Sequence, residues 1–213
     1  MARKRTMHYG LMLGLFFLMA ELQAGMIDKE GMAPWEICGL CHSLNGISAM
    51  SKFPKLAGQK SVYLKSQLLD FRQGQRLNDG GQMAAIVTEI DPLAIDEIVD
   101  YFANLPRPLT NLVVESDTDR EEYQAGKLLF ELGRAGVPGC GSCHNEEHLT
   151  APLLQAQHAA YIRKQLNDFK SGRRANKGAA AMIAIAKNLS EDEISALAIY
   201  LHASGHYAAD IAH

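Results

Sequence analysis

Cys38-Gly39-Leu40-Cys41-His42 and Cys140-Gly141-Ser142-Cys143-His144 are the two stretches from which the chain is read, because together they use all four of its cysteines. Four cysteines in an exported chain suggest two disulfides at first sight. Their placement argues otherwise. Cys-x-x-Cys-His is the attachment pattern of c-type haem, in which two thiols add to the two vinyl groups and the adjacent histidine is delivered to the iron. Zinc fits poorly, since its second ligand pair belongs roughly 12 to 20 residues after the first, and Cys140 lies much further from Cys41. A thioredoxin-like pair needs no following histidine and sits in a β-rich context that the chain does not offer. The two pentapeptides therefore predict two haem c groups, one attached through Cys38 and Cys41 and one through Cys140 and Cys143, with His42 and His144 as iron ligands.

An internal repeat supports two equivalent halves independently of the cysteines. Residues 54–72 align without gaps on residues 152–170, with eight of nineteen positions identical, among them Pro54/Pro152, Gln59/Gln157, Tyr63/Tyr161, Gln67/Gln165, Asp70/Asp168 and Phe71/Phe169. The match continues through Gly74/Gly172, Arg76/Arg174, Asn78/Asn176 and Gly80/Gly178, and after one gap through Met83/Met182 and Ile86/Ile185. Each half reads as helical: apolar residues recur at helical spacing over 62–73 and 160–171, and no run alternates as a strand does. The last helix of each half has a start signal, Asp91-Pro92 in the first and the capping box Ser190 to Glu193 in the second. Ile95, Ile98 and Phe102, and likewise Ile194, Leu197 and Leu201, are expected on its buried face. Leu105-Pro106-Arg107-Pro108-Leu109 cannot continue a helix and reads as the linker.

The start of the chain differs from the rest. Arg3, Lys4 and Arg5 lead into an apolar run from Leu11 to Ala20, too short for a spanning helix, which needs about 20 apolar residues. A small-residue cleavage site follows at Ala24, so residues 1–24 read as a secretory signal peptide, with an uncleaved membrane anchor as the alternative. The expected division is then 25–105 for the first haem domain, 106–118 for the linker and 119–213 for the second haem domain. Removing the signal takes away three basic residues and one acidic residue, moving the formal charge from −3 to −5. That balance argues against nucleic acid as a partner. A content of 47% hydrophobic and 21% charged residues is ordinary for a folded chain and excludes disorder.

One histidine leaves an axial position of the iron open, and what fills it separates a carrier from oxygen or peroxide chemistry. Without the signal, the first half holds no histidine besides His42, and its methionines are Met26, Met32, Met50 and Met83. The second half has Met182 as its sole methionine, with His148, His158, His202 and His206 as rival ligands. Met83 and Met182 share a repeat position just before the final helix, which makes them the expected sixth ligands. The plain alternative is that each fills core space, the commoner fate of a methionine. Pro54 and Pro152 are the expected sources of a carbonyl that orients each axial histidine. Arg76 and Arg174, read as exposed loop residues, either pair with haem propionates or are solvated. No acid, base and nucleophile arrangement suggests an enzyme.

These residues resemble the dihaem cytochrome c4 group of class I cytochromes c. The resemblance rests on Cys38 to His42, Pro54, Gln59, Tyr63, Phe71, Arg76, Met83 and Tyr101, and again on Cys140 to His144, Pro152, Gln157, Tyr161, Phe169, Arg174, Met182 and Tyr200. It implies an all-α chain of two tandem class I cytochrome c domains related by a pseudo-twofold axis. It also implies a periplasmic electron carrier, possible peripheral association with the membrane, and redox protein partners such as a terminal oxidase, a cytochrome complex or a dehydrogenase. Two other roles stand beside the free shuttle: a dedicated cytochrome subunit of a dehydrogenase complex, as in sulfide-oxidising flavocytochromes, and a dihaem enzyme such as a peroxidase or thiosulfate-oxidising cytochrome. Three features depart from the family pattern. The segment before Cys38 lacks a counterpart of the helix expected over 121–132, the loop from His144 to Pro152 is shorter than its equivalent, and residues 205–213 are extra.

Overall fold

A computed structural model describes residues 27–110 and 116–205. The expected signal peptide, His206 and most of the tail lie outside the described residues. In the first half α1 runs over Glu36–His42, α2 over Ser61–Arg72, α3 over Gln82–Thr88 and α4 over Ile95–Ala103. In the second half α5 covers Asp117–Glu131, α6 Ala159–Lys170, α7 Ala180–Lys187 and α8 Glu191–Ala203.

The helix starts follow local chemistry. The Asp91 carboxylate accepts from the Leu93 N–H at 2.9 Å, and Pro92 opens a single 3-10 turn that feeds α4. At α8, Ser190 Oγ accepts from the Glu193 N–H at 3.1 Å while the Glu193 carboxylate accepts from the Ser190 N–H at 2.8 Å, so two otherwise orphaned donors are satisfied together. Ile95, Ile98 and Phe102 are buried on α4, and Ile194, Leu197 and Leu201 on α8. These residues anchor the main core of each half, and the second half has a smaller cluster besides, Phe169, Ala179 and Ala186. Met83 and Met182 come just before the final helix of each half, each within a short helix of its own, α3 and α7.

The halves differ in how they cover the last helix. In the second, α5 packs across α8 at Gly126, where a Cβ would lie 2.1 Å from the Ala196 carbonyl oxygen; only glycine allows the backbones to approach so closely. Tyr123 and Phe130 then meet Tyr200 with ring centroids 5.3 and 5.4 Å apart. The described part of the first half has no such helix, and Trp35 instead stacks on Tyr101 at 4.6 Å with the planes 8° apart. One indole thus covers the aromatic position that a whole helix covers in the second half. A further difference is a minimal antiparallel ladder, β1 (Gly133–Arg134) with β2 (Val137–Pro138). Sequence reading finds no strand there, since two-residue strands are too short to show a period.

Gly126→Val forces two backbones apart and is expected to cost about 2–3 kcal/mol, read as a lower denaturant midpoint with the haem spectrum of the remaining native protein unchanged.

Candidate functional site

Cys38, Cys41 and His42 all lie on α1, and the three-residue spacing of the cysteines brings their side chains to one helical face. Cys140 opens a 3-10 turn, with Cys143 and His144 following it. None of the four cysteines forms a disulfide. Burial, with a smaller contribution from Cys41, pushes the Cys38 thiol up to about 12. Burial likewise pushes the Cys140 thiol up to about 11. Thiols raised in this way do not suit a thiolate metal site at Cys38 or Cys140.

Each histidine is buried and held by one bond. His42 Nδ1 donates to the Pro54 carbonyl at 2.8 Å and His144 Nδ1 donates to the Pro152 carbonyl at 2.8 Å. The two bonds have the same length although they close 12 residues in the first half and 8 in the second. Burial draws the His42 ring below its usual value, against the upward pull of the Pro54 bond. The His144 ring is lowered chiefly by burial as well, with the nearby Lys60 and His148 adding to the effect. A neutral ring with its proton on Nδ1 keeps its lone pair on Nε2, the form in which imidazole binds a metal. This donor set fits haem c: paired thiols beside a neutral, oriented imidazole.

Met83 packs on the core that contains Cys38, and Met182 packs on the buried trio Phe169, Ala179 and Ala186. Four rivals are engaged elsewhere or face water, while Met26 and His206 lie outside the described residues. Met50 is 54% exposed, His148 is exposed, His158 Nε2 bonds the Ser48 carbonyl at 2.9 Å, and His202 Nδ1 donates to the Gln157 carbonyl at 3.0 Å.

Arg76 and Arg174 are not exposed loop residues: they are buried, 5% and 6% accessible, where the halves meet. Arg76 donates to Gln67 of its own half at 2.7 Å and, across the boundary, to the Tyr161 hydroxyl at 3.1 Å and to Gln165 at 3.2 Å. Arg174 mirrors it, reaching Gln165 at 2.7 Å, the Tyr63 hydroxyl at 3.2 Å and Gln67 at 2.8 Å. Each guanidinium lies 4.5 Å over a phenyl ring, Phe71 or Phe169. Asn78 reaches Asp168 at 2.7 Å and Asn176 reaches Asp70 at 2.5 Å, completing a network with twofold pseudosymmetry.

A second symmetric set grips the loops that follow the cysteine motifs. Lys60 donates to the carbonyls of His148 and Ala151 at 2.8 Å each, and also to that of Asn145. Its repeat equivalent, His158, holds Ser48 in the other half.

No family model matches the chain. Among curated proteins, cytochrome c4 of Pseudomonas aeruginosa is 35% identical over 183 residues, which covers 80% of this chain and 85% of that protein. The chain belongs to the cytochrome c4 family. A crystal structure of reduced cytochrome c4 from Pseudomonas stutzeri superposes with a TM-score of 0.68 at 31% identity, covering 79% of this chain and 94% of that one. The thiosulfate dehydrogenase electron acceptor of Stutzerimonas stutzeri is 29% identical over 208 residues, 92% of this chain and 94% of that protein. As a cytochrome c4, the chain is an all-α protein of two class I cytochrome c domains that carries two covalently bound haem c groups. It is an electron-transfer protein and not an enzyme.

Sequence reading missed the interface function of Gln59, Gln67, Asn78, Gln157, Gln165 and Asn176. The available signal was their identity in both repeats, because solvated polar positions need not match.

Arg76→Met removes the charged donor to Asn78 Oδ1 and one of the buried donors to the Gln67 and Gln165 oxygens, which keep Arg174, and is expected to destabilise the holoprotein by about 2–3 kcal/mol. Arg76→Lys does not restore the loss in denaturant unfolding, because a lysine cannot present the planar fork. The second expectation concerns pH. Burial, then the neighbouring Lys55, lower the His158 ring from its ordinary value of 6.5, with His202 adding to the effect and the Ser48 bond opposing it. The unfolded chain therefore takes up this proton first, so the stability from His158 is complete above pH 6.5 and declines as the pH falls below it. Unfolding midpoints of the parent and His158→Gln between about pH 7.5 and 5 are expected to differ in slope, the variant being flatter.

Proposed function

We propose that this chain carries electrons in the periplasm through two low-spin haems, one ligated by His42 and Met83 and the other by His144 and Met182. The observation that supports the reading is that each half holds a histidine oriented by a proline carbonyl and a half-buried methionine packed among apolar helical residues. Bound haem supplies a one-electron couple there, and the thioether raises its potential relative to a second imidazole. The chain's own residues orient the imidazole, present the thioether and surround both with apolar side chains, so that a change of charge is met with little rearrangement. The buried guanidinium groups of Arg76 and Arg174 provide positive charge that favours nearby propionates. Proposed boundaries are 25–105 and 119–213 with the linker at 106–118, although α5 already begins at Asp117 inside that linker.

Export rests on the signal-like residues 1–24, and among the described residues no helix is long and apolar enough to cross a membrane. The proposed partners are redox proteins, namely a terminal oxidase, a cytochrome complex or a dehydrogenase, with peripheral membrane contact. A second reading, a dedicated acceptor for one dehydrogenase, is favoured by the similarity to the thiosulfate dehydrogenase electron acceptor of Stutzerimonas stutzeri. Copurification with such a dehydrogenase from cells expressing the native chain separates the two.

The visible spectrum of the oxidised holoprotein is expected to show the weak long-wavelength sulfur-to-iron band, and Met83→His and Met182→His are each expected to remove about half of it. A parent lacking the band, or high-spin features that respond to peroxide, would overturn the His/Met assignment for at least one haem.

A further inference from the structure

Gln59 and Gln157 occupy the same repeat position, and each reaches across the boundary to the backbone of a single residue in the other half. Gln59 Nε2 donates to the Leu153 carbonyl at 2.9 Å, and its Oε1 accepts from the Leu153 N–H at 3.0 Å. Gln157 Nε2 donates to the Lys55 carbonyl at 3.0 Å, and its Oε1 accepts from the Lys55 N–H at 2.9 Å. Each amide is pinned in this orientation by a further backbone donor, since Gln59 Oε1 also accepts from the Lys60 N–H and Gln157 Oε1 from the His158 N–H, both at 3.1 Å. A flipped amide would set N–H against N–H.

The N–H of Leu153 belongs to the same planar peptide unit as the carbonyl of Pro152, and that carbonyl accepts from His144. The N–H of Lys55 shares a peptide unit with the Pro54 carbonyl, which accepts from His42. Two continuous hydrogen-bond chains result. One runs from Gln59 in the first half through peptide 152–153 to His144 in the second; the other runs from Gln157 in the second half through peptide 54–55 to His42 in the first.

We propose that Gln59 and Gln157 are positioning residues that set the donor strength of the axial histidine in the opposite half, so that the reduction potential of each haem depends on a side chain of the other domain. The inference rests on the axial roles proposed for His42 and His144. An acceptor on the peptide N–H polarises the unit and makes its carbonyl a stronger acceptor. That carbonyl draws more strongly on the Nδ1 proton, leaving Nε2 more electron-rich and favouring oxidised iron. Loss of the glutamine therefore raises the potential across the boundary, while a carboxylate in its place lowers it.

The test compares the haem-loaded parent with Gln59→Leu, Gln59→Glu and Gln157→Leu by potentiometry, following each haem through its own hyperfine-shifted proton resonances. Gln59→Leu is expected to shift the second haem toward reduced iron by about three- to tenfold, the upper value being roughly 59 mV for a one-electron couple, with the first haem unmoved. Gln157→Leu is expected to do the reverse, moving only the first haem. Gln59→Glu is expected to shift the second haem toward oxidised iron. If neither haem moves, if Gln59→Leu moves its own half's haem equally, or if the Leu and Glu variants shift the second haem in one direction as a merely loosened interface would, the proposal is wrong. The parent spectrum reports axial ligation separately, so a wrong ligand assignment is recognised before any glutamine variant is compared.

Discussion

Two guanidinium groups, Arg76 and Arg174, are buried at the boundary between the halves, and neither forms an ion pair among the described residues. Burying a charge is costly unless its hydrogen bonds are satisfied, so the surroundings must replace the lost water with fixed dipoles. Gln67 and Gln165 do this by presenting one amide oxygen to both arginines, and the tyrosine hydroxyls and phenyl faces complete the shell. Every one of these groups has a repeat equivalent, so the arrangement is satisfied only when the two halves meet in one relative orientation. The interface is thereby specific as well as stable, since a slip of one half would leave several buried polar groups unpaired at once.

The pseudosymmetry is broken where charge is concerned. Asp168 accepts from Asn78 and is also paired with Lys164 at 2.5 Å and Arg173 at 2.9 Å. Burial pushes this carboxyl up, and the bonds from Lys164, Asn78 and Arg173 outweigh it, so it ends below the usual range. Ser66 and Gln75 stand at the corresponding positions around Asp70, so the second half carries the extra charged pair. The grips on the two haem-side loops differ in the same way: a lysine amine, drawn below its ordinary value by burial, holds the loop after His144, and an imidazole, drawn below its ordinary value by burial and Lys55, holds the loop after His42. Two copies of one domain thus provide different electrostatic surroundings for two chemically identical groups, which is a physical route to unequal potentials in a carrier.

The relatives place this architecture among electron-transfer proteins, and the geometry is consistent with that role. The His42 and His144 rings are each held by the carbonyl of a rigid peptide, and the helices of each half pack into apolar cores. A structure that barely changes when an electron arrives suits rapid exchange, and the described residues include no cluster of histidine, cysteine and acidic groups that would hold an additional metal.

The two haem c groups, the internal repeat, the helical class and the buried faces of α4 and α8 were all legible in the residues themselves. These features are local: Cys-x-x-Cys-His is contiguous, Ser190 and Glu193 are three positions apart, and Ile194, Leu197 and Leu201 recur with the helical period. The burial of Arg76 and Arg174 was not legible, because polarity and a glycine-flanked loop argue for exposure and only the opposite half supplies the partners that make burial tolerable. Trp35 covering Tyr101 in place of a helix, and Gly126 admitting α5 against α8, likewise depend on how closely two remote segments approach. By itself the sequence determined what each half binds and how each half folds. Only the tertiary structure decided that Gln59 and Gln157 end on the peptides that orient the other half's histidines, since a hydrogen bond about 3 Å long depends on where atoms lie in space and leaves no trace in the order of residues.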